Sequence, residues 1–140
     1  MTKLILGEKI FGWIPPDRPN GITLQGRYVR LEPLEASRHA KDLFEFYSED
    51  VEQTVWDYLP YGPFDNETAY KLWIKKSTNG VDPFFLAIKD LNENRYVGVA
   101  SYLRINPKEG SIEVGHLNFS PTLQSTIGAT EAMYLMMKWV

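Results

Sequence analysis

Cysteine is absent from the 140 residues, which removes a disulfide scaffold, a thiolate zinc site and a cysteine nucleophile together. Histidine is nearly as scarce: His39 and His116 are the only two, too few for a histidine-rich metal site. The longest apolar stretches, around Tyr96–Leu103 and Ala132–Met137, are too short to cross a bilayer. The opening MTKLILGEKIFGW has neither the long apolar core nor the small-residue cleavage site of a signal peptide. Charge of one sign never forms a block. Fifteen Lys and Arg against eighteen Asp and Glu leave a net charge of -3, with no nucleic-acid arm and no polybasic membrane anchor. There are no internal repeats and no low-complexity segment. The expectation from these absences is a soluble, cytoplasmic chain without metal, nucleic-acid or membrane partner.

What is present is the balance of an ordinary globular chain, 44% hydrophobic and 24% charged, with room for one domain. Residues 1–26 read as an N-terminal extension, because Pro15, Pro16 and Pro19 interrupt any helix and Asn20-Gly21 marks a turn. Its many apolar residues predict that it packs over the domain of residues 27–140 or covers a cleft. Tyr28-Val29-Arg30-Leu31 alternates as a first strand ending near Pro33. A helix of about a dozen residues follows from Ala36, with Ala36, Ala40, Leu43, Phe44 and Tyr47 on one stripe. The aromatic, proline-bounded stretch from Trp56 to Pro63 is a loop that either plugs the core edge or lines a ligand cleft. Asp65 or Asn66 caps a second helix reaching about Thr78, which Asn79-Gly80 closes in the left-handed conformation.

From there the period changes. Phe84–Ile88 is apolar on both faces, Tyr96–Ile105 is a long strand, and Ile112–Phe119 returns as the next. Short polar turns join these three into an antiparallel meander. The last helix begins after Pro121, with Ala129, Ala132, Met133, Met136 and Val140 at helical spacing. The order predicts an α+β (mixed α/β) plan, helices packed on a largely antiparallel sheet.

The informative region is Ile112–Thr130, a strand that runs through a small polar loop into a helix. First-turn amides of a helix lack internal partners and face the positive end of its dipole. Ser125, Thr126, Gly128, Ala129 and Thr130 are small enough for a phosphate to approach that backbone. The same composition also suits a loop that merely turns.

Three stretches together resemble the GNAT acyltransferase superfamily, in its ribosomal-protein (RimJ/RimL-like) N-acetyltransferase branch. They are Leu24–Leu34, Gly98–Tyr102, and Ile112–Gly115 leading to the run from Ser120 to Ala132. The resemblance runs from about Leu24 to the last residue. In that family an Arg/Gln-x-x-Gly-x-Gly/Ala loop binds the pyrophosphate of acyl-CoA. Here Gln124 holds the first position and Ala129 the last, while Ile127 stands at the middle glycine with Gly128 one residue later. Ser125 stands where the branch usually carries a basic residue.

The resemblance implies acetyl-CoA as co-substrate and direct attack of an amine acceptor on its thioester. The implied cofactor-binding residues are Gln124, Ser125, Thr126, Ile127, Gly128, Ala129 and Thr130, with the Leu117, Asn118 and Phe119 backbone holding the thioester oxygen or the pantetheine arm. Glu113 is the candidate general base, or else a polar residue on a solvated strand face. His116 is the second catalytic candidate; regular alternation puts it on the opposite face from Glu113, unless a bulge near Gly115 breaks the parity.

A complete domain of this family continues past the last helix, so the chain reads as an incomplete one, truncated before the C-terminal strands. The Ile112–Phe119 strand then carries a free edge through which a homodimer is expected. Other readings stay open: a catalytically inactive acyl-CoA-binding or protein-interaction module, and a structural subunit that contacts a partner through the Trp56–Pro63 loop.

Overall fold

A computed structural model describes residues 4–140; the first three residues of the expected 1–26 extension lie outside the described residues. Five strands make one antiparallel sheet in chain order: β1 (Leu24–Gln25), β2 (Val29–Pro33), β3 (Phe84–Asp90), β4 (Arg95–Asn106) and β5 (Ser111–Phe119). Among the described residues the helices are α1 (Ala36–Ser48), α2 (Glu67–Ser77) and α3 (Ile127–Trp139), with a 3-10 turn at Thr54–Trp56. This is the mixed α/β meander with packed helices that the periodicity predicts. No helix among the described residues is long and apolar enough to cross a membrane.

Strand alternation sorts the core into two layers. Leu31, Leu86, Ile88, Val97, Ala100 and Tyr102 face α3, where Ala132 and Met136 meet them. Phe85, Ala87, Tyr96 and Val99 face α1 and α2, where Leu43, Tyr47, Tyr70 and Ile74 meet them. Asn66 caps α2 by accepting from the Ala69 N–H at 2.8 Å. Its other end differs from expectation: neither Asn79 nor Gly80 takes a positive φ. Instead the Thr78 amide and hydroxyl both donate to the Ile74 carbonyl, at 2.9 and 2.8 Å, so a side chain supplies the stop.

The N-terminal segment departs further. Leu24 and Gln25 pair with Leu31 and Arg30, so the expected division at residue 26 falls inside a hairpin. Leu4, Ile5, Leu6, Phe11 and Ile14 are exposed rather than packed. Trp13 is the main anchor, its indole N–H donating to the Lys108 carbonyl at 2.9 Å.

Glu131 ties α3 to the β1–β2 turn. Its carboxylate accepts from the backbone N–H groups of Arg27, Tyr28 and Val29 at 2.8, 2.7 and 2.9 Å. A Cβ on Gly26 would lie 2.4 Å from that carboxylate, which is why glycine stands there. Partial burial opposes ionisation, but the three donors and the Arg27 charge win and hold the carboxyl below its ordinary range. Its stabilisation is therefore complete above the ordinary value of 4.5 and lost as pH falls through the lower folded value. Glu131→Ala, which strands three donors, is expected to lose about 2 kcal/mol in urea denaturation at pH 7. The deficit should shrink toward acid pH.

Candidate active site

The site is built on a defect in β5. Gly115 faces Ser101 and Asn118 faces Val99, so His116 and Leu117 together oppose the single residue Ala100. This is a β-bulge, with His116 in the left-handed region at φ 47°. Ile112 and Val114 pack on the α3 side, which leaves Glu113 and Gly115 on the α1/α2 side. Regular alternation would send His116 to the α3 side. The bulge returns it, and its ring stacks on Tyr61 at 5.6 Å and leans on Phe85 at 5.4 Å. Glu113 and His116 therefore share one face, by the parity break that regular alternation excludes.

The two candidates sit in different surroundings. Glu113 is exposed and forms an ion pair with Arg104. His116 is half-buried, with Nδ1 3.3 Å from the Tyr61 hydroxyl. Burial pushes the His116 imidazole below its ordinary value, Glu113 pulls it back up and Arg104 opposes that pull. Burial also raises the Tyr61 phenol, so that hydroxyl keeps its proton.

His116 and Leu117 open into a cleft of about 570 Å3 whose other wall is the segment around Thr54–Leu59, with Asp57 and Tyr58 at its mouth. The aromatic loop thus does both things open to it. Trp56 is buried against Tyr47 at 5.0 Å and Phe64 at 5.4 Å, while Tyr58 and Leu59 line the cleft. Phe119 and Gln124 belong both to this cleft and to a more open hollow of about 690 Å3 against the start of α3. The two run together as one groove, each part within the size range of small-molecule sites.

At the far end, a polar turn leads into α3. The Ser120 carbonyl accepts from both the Leu123 and Gln124 amides, and Leu123 is buried as the loop's anchor. Ser125 takes φ 58°, and Thr126 caps the helix by accepting from the Ala129 N–H at 3.2 Å. Residues 121–126 are spent on turning, so the helix begins at Ile127, out of the polar loop that the sequence marks. Among the described residues no partner within the chain takes the Ile127 and Gly128 amides, and no acidic side chain occupies the first turn. Those donors and the helix dipole are free to hold an anion.

The branched Ile127 side chain is 61% exposed, so it stands beside this corner instead of filling it. A Cβ on Gly128 would lie 3.0 Å from Val29 Cγ1. Its missing side chain thus serves close packing of helix on sheet rather than access to the groove.

Of the residues singled out from sequence, Ser125, Thr126, Ile127, Ala129 and Thr130 line the hollow, with Gln124 and Phe119 at its junction with the cleft. Gln124 also donates from Nε2 to the Phe119 carbonyl at 2.8 Å, bracing the junction. Leu117 and His116 line the cleft, and Glu113 sits outside its lining. Asn118 is buried; its backbone carbonyl accepts from the Tyr47 hydroxyl at 3.1 Å and its Oδ1 has no partner among the described residues. Sequence reasoning misses Arg27, which lies with Ile127 and Gly128 around a neighbouring hollow. It also misses the pairing of Tyr61 with His116, since 55 residues separate them and no local pattern links them. Among the described residues no group of three or more His, Asp or Glu gathers to hold a metal.

No family model matches the chain, and no curated protein matches it. Solved structures do. The chain is similar to a GCN5-related N-acetyltransferase from Brucella melitensis, at 34% identity and a TM-score of 0.87 over 93% of this chain and 59% of that one. It is similar to a GNAT-family structure from Chromobacterium violaceum, at 32% identity and 0.86 over 96% of this chain and 67% of that one. The ribosomal L7/L12 α-N-protein acetyltransferase RimL shares the fold, with a TM-score of 0.67 at 13% identity. This chain spans about three-fifths of the Brucella protein and two-thirds of the Chromobacterium one.

Proposed function

This chain belongs to the GCN5-related N-acetyltransferase (GNAT) family, and on that premise we propose that it transfers the acetyl group of acetyl-CoA to a primary amine. The observation that carries this reading is the single groove running from the β5 bulge to the open amides of α3, through Phe119 and Gln124. The diphosphate lies against the Ile127 and Gly128 N–H groups, with Arg27 adding the positive charge that Ser125 does not supply. The acyl arm follows Leu117–Phe119, and the amine enters the cleft beside His116. The amine nitrogen bonds to the acetyl carbon, the carbon–sulfur bond breaks, and the thiolate leaves as CoA. No enzyme nucleophile is consumed, which suits a chain without cysteine.

The proton goes first to His116. The Tyr61 oxygen accepts from the Nδ1–H, leaving the Nε2 lone pair toward the amine. Glu113, on the same face, stabilises the imidazolium that forms. β5 is the outer strand of the sheet, and edge-to-edge pairing of two such strands is the proposed route to a homodimer.

Calorimetry with acetyl-CoA should show one site per chain, and a thiol reagent should detect CoA release only when an amine is added. The chain's own lack of thiols leaves that assay without background. Binding without release from any amine would favour an inactive binding module; no binding would end the acyl-CoA reading altogether.

A further inference from the structure

The wall of the cleft facing His116 carries charge of one sign. From Glu49 to Glu67 the chain holds six carboxylates, Glu49, Asp50, Glu52, Asp57, Asp65 and Glu67, and no lysine or arginine. One of them, Asp57, lines the cleft, and a second braces residues that line it. Asp50 accepts from the Val55 N–H at 2.9 Å and from the Thr54 hydroxyl at 3.2 Å, and Thr54 and Val55 are both lining residues. Among the described residues no lysine or arginine lines the cleft to offset them. Arg104 of the neighbouring strand β4 is paired with Glu113. Much of the remaining lining is apolar or aromatic: Val55, Leu59, Leu117, Phe119, and Tyr58, which is 98% exposed.

We propose that the amine acceptor carries a second positive charge besides the nitrogen that reacts. This rests on the acyl-transfer reading of the groove and narrows it. The reacting nitrogen must be neutral when it attacks, so it cannot itself satisfy the acidic wall in the productive complex. A second cation, held a few carbons away along an aliphatic body, meets Asp57, with the Asp50 charge behind the lining, while the free amine faces His116. A negative wall over a low-dielectric cleft also concentrates cationic acceptors and repels acidic ones, with effects on association of tenfold or more at low salt. The exposed Tyr58 face adds a surface on which a cation can rest.

The test uses three amines with one five-carbon body: pentane-1,5-diamine, pentylamine and 5-aminopentanoate, whose distal groups are positive, neutral and negative. At low ionic strength kcat/KM should fall in that order, by at least tenfold from first to last, and the gap should narrow in high salt. The substitution Asp57→Asn should shrink the gap several-fold. Alanyl-lysine against alanyl-glutamate repeats the comparison for a peptide end, and the faster of the two cationic probes identifies the source of the charge. Calorimetric titration of the same amines onto the CoA-loaded chain gives a readout independent of turnover. Binding in the stated order without turnover sinks the acyl-transfer reading and upholds the acceptor charge. Turnover of all three at one rate, or a reversed order, does the opposite. No detectable binding of the diamine also overturns the proposal.

Discussion

Glu32→Ala is expected to lower the stability of the fold by about 3–5 kcal/mol, the largest loss from any single exchange of a charged residue in the chain. Glu32 is 5% exposed, and four side chains converge on its carboxylate. Tyr96 donates its hydroxyl at 2.8 Å, His39 its Nε2–H at 3.0 Å, and Arg38 a guanidinium N–H at 2.8 Å, all to Oε1. Arg30 donates twice to Oε2 at 3.0 Å. The His39 tautomer follows from its other nitrogen: Nδ1 accepts from the Glu35 N–H at 2.8 Å, so the ring proton sits on Nε2. That bond serves the amide at the start of α1, which no capping side chain reaches. Removing the carboxylate strands His39, which is fully buried, and the Tyr96 hydroxyl together. Glu32→Gln keeps an acceptor oxygen and should cost less. Equal loss from both exchanges would mean that shape, not hydrogen bonding, is what the site needs.

The same cluster sets how the protein responds to acid. Burial opposes the Glu32 charge, but the His39 and Tyr96 hydrogen bonds and the two arginines outweigh it, so the carboxyl is held below its ordinary 4.5. Burial pushes His39 below its ordinary 6.5 despite the pull of Glu32, so the folded ring is neutral. In both cases the unfolded chain binds the proton at a higher pH than the folded one, and stability falls as pH drops. The histidine share begins to disappear below about 6.5, and the carboxylate share below about 4.5, down through the lower folded values. Thermal melts between pH 8 and pH 3.5 should show these two stages. In Glu32→Ala the second should shrink to what Glu131 alone supplies.

Much of the fold is legible because its signals are local. The two-sided apolar run Phe84–Ile88 lies within the central strand β3, and Asn66 caps α2 from the position that its residue type announces. The misreadings share one cause, side chains that do unadvertised work. Thr78 ends α2 through its hydroxyl, whereas Gly80 is the conspicuous marker, and Thr126 rather than a residue beside Pro121 supplies the cap of α3. β1 is two residues long and exists only by pairing, so no periodicity could reveal it. At the site, the polar loop and its residues are readable as a run. Which face His116 occupies is not, because a bulge reverses the parity of everything beyond it and depends on pairing with β4. The partners that define each group, Tyr61 for His116 and Glu131 for the β1–β2 turn, come from distant segments.

That parity reversal makes the sharpest expected result a functional one. His116→Ala should reduce kcat by about a hundredfold to ten-thousandfold, the range for loss of a positioned general base, with little change in acetyl-CoA affinity. Affinity should hold because Ile127 and the start of α3 lie at the other end of the groove. Glu113→Gln should cost less, since its carboxylate is paired with Arg104 and in the proposed mechanism reaches the amine only through the charge on His116. The pH profile separates the two roles. A base must be unprotonated, and burial holds His116 below 6.5, so activity should have an acid limb with its midpoint under that value. Glu113 raises the imidazole's proton affinity, so Glu113→Gln should move the limb to still lower pH; His116→Ala should abolish it. Tyr61→Phe removes the oxygen that accepts from Nδ1–H and should lower kcat while leaving the limb present. If His116→Ala keeps kcat within threefold and retains the limb, the proton goes elsewhere, and Glu113 becomes the group to which the limb belongs.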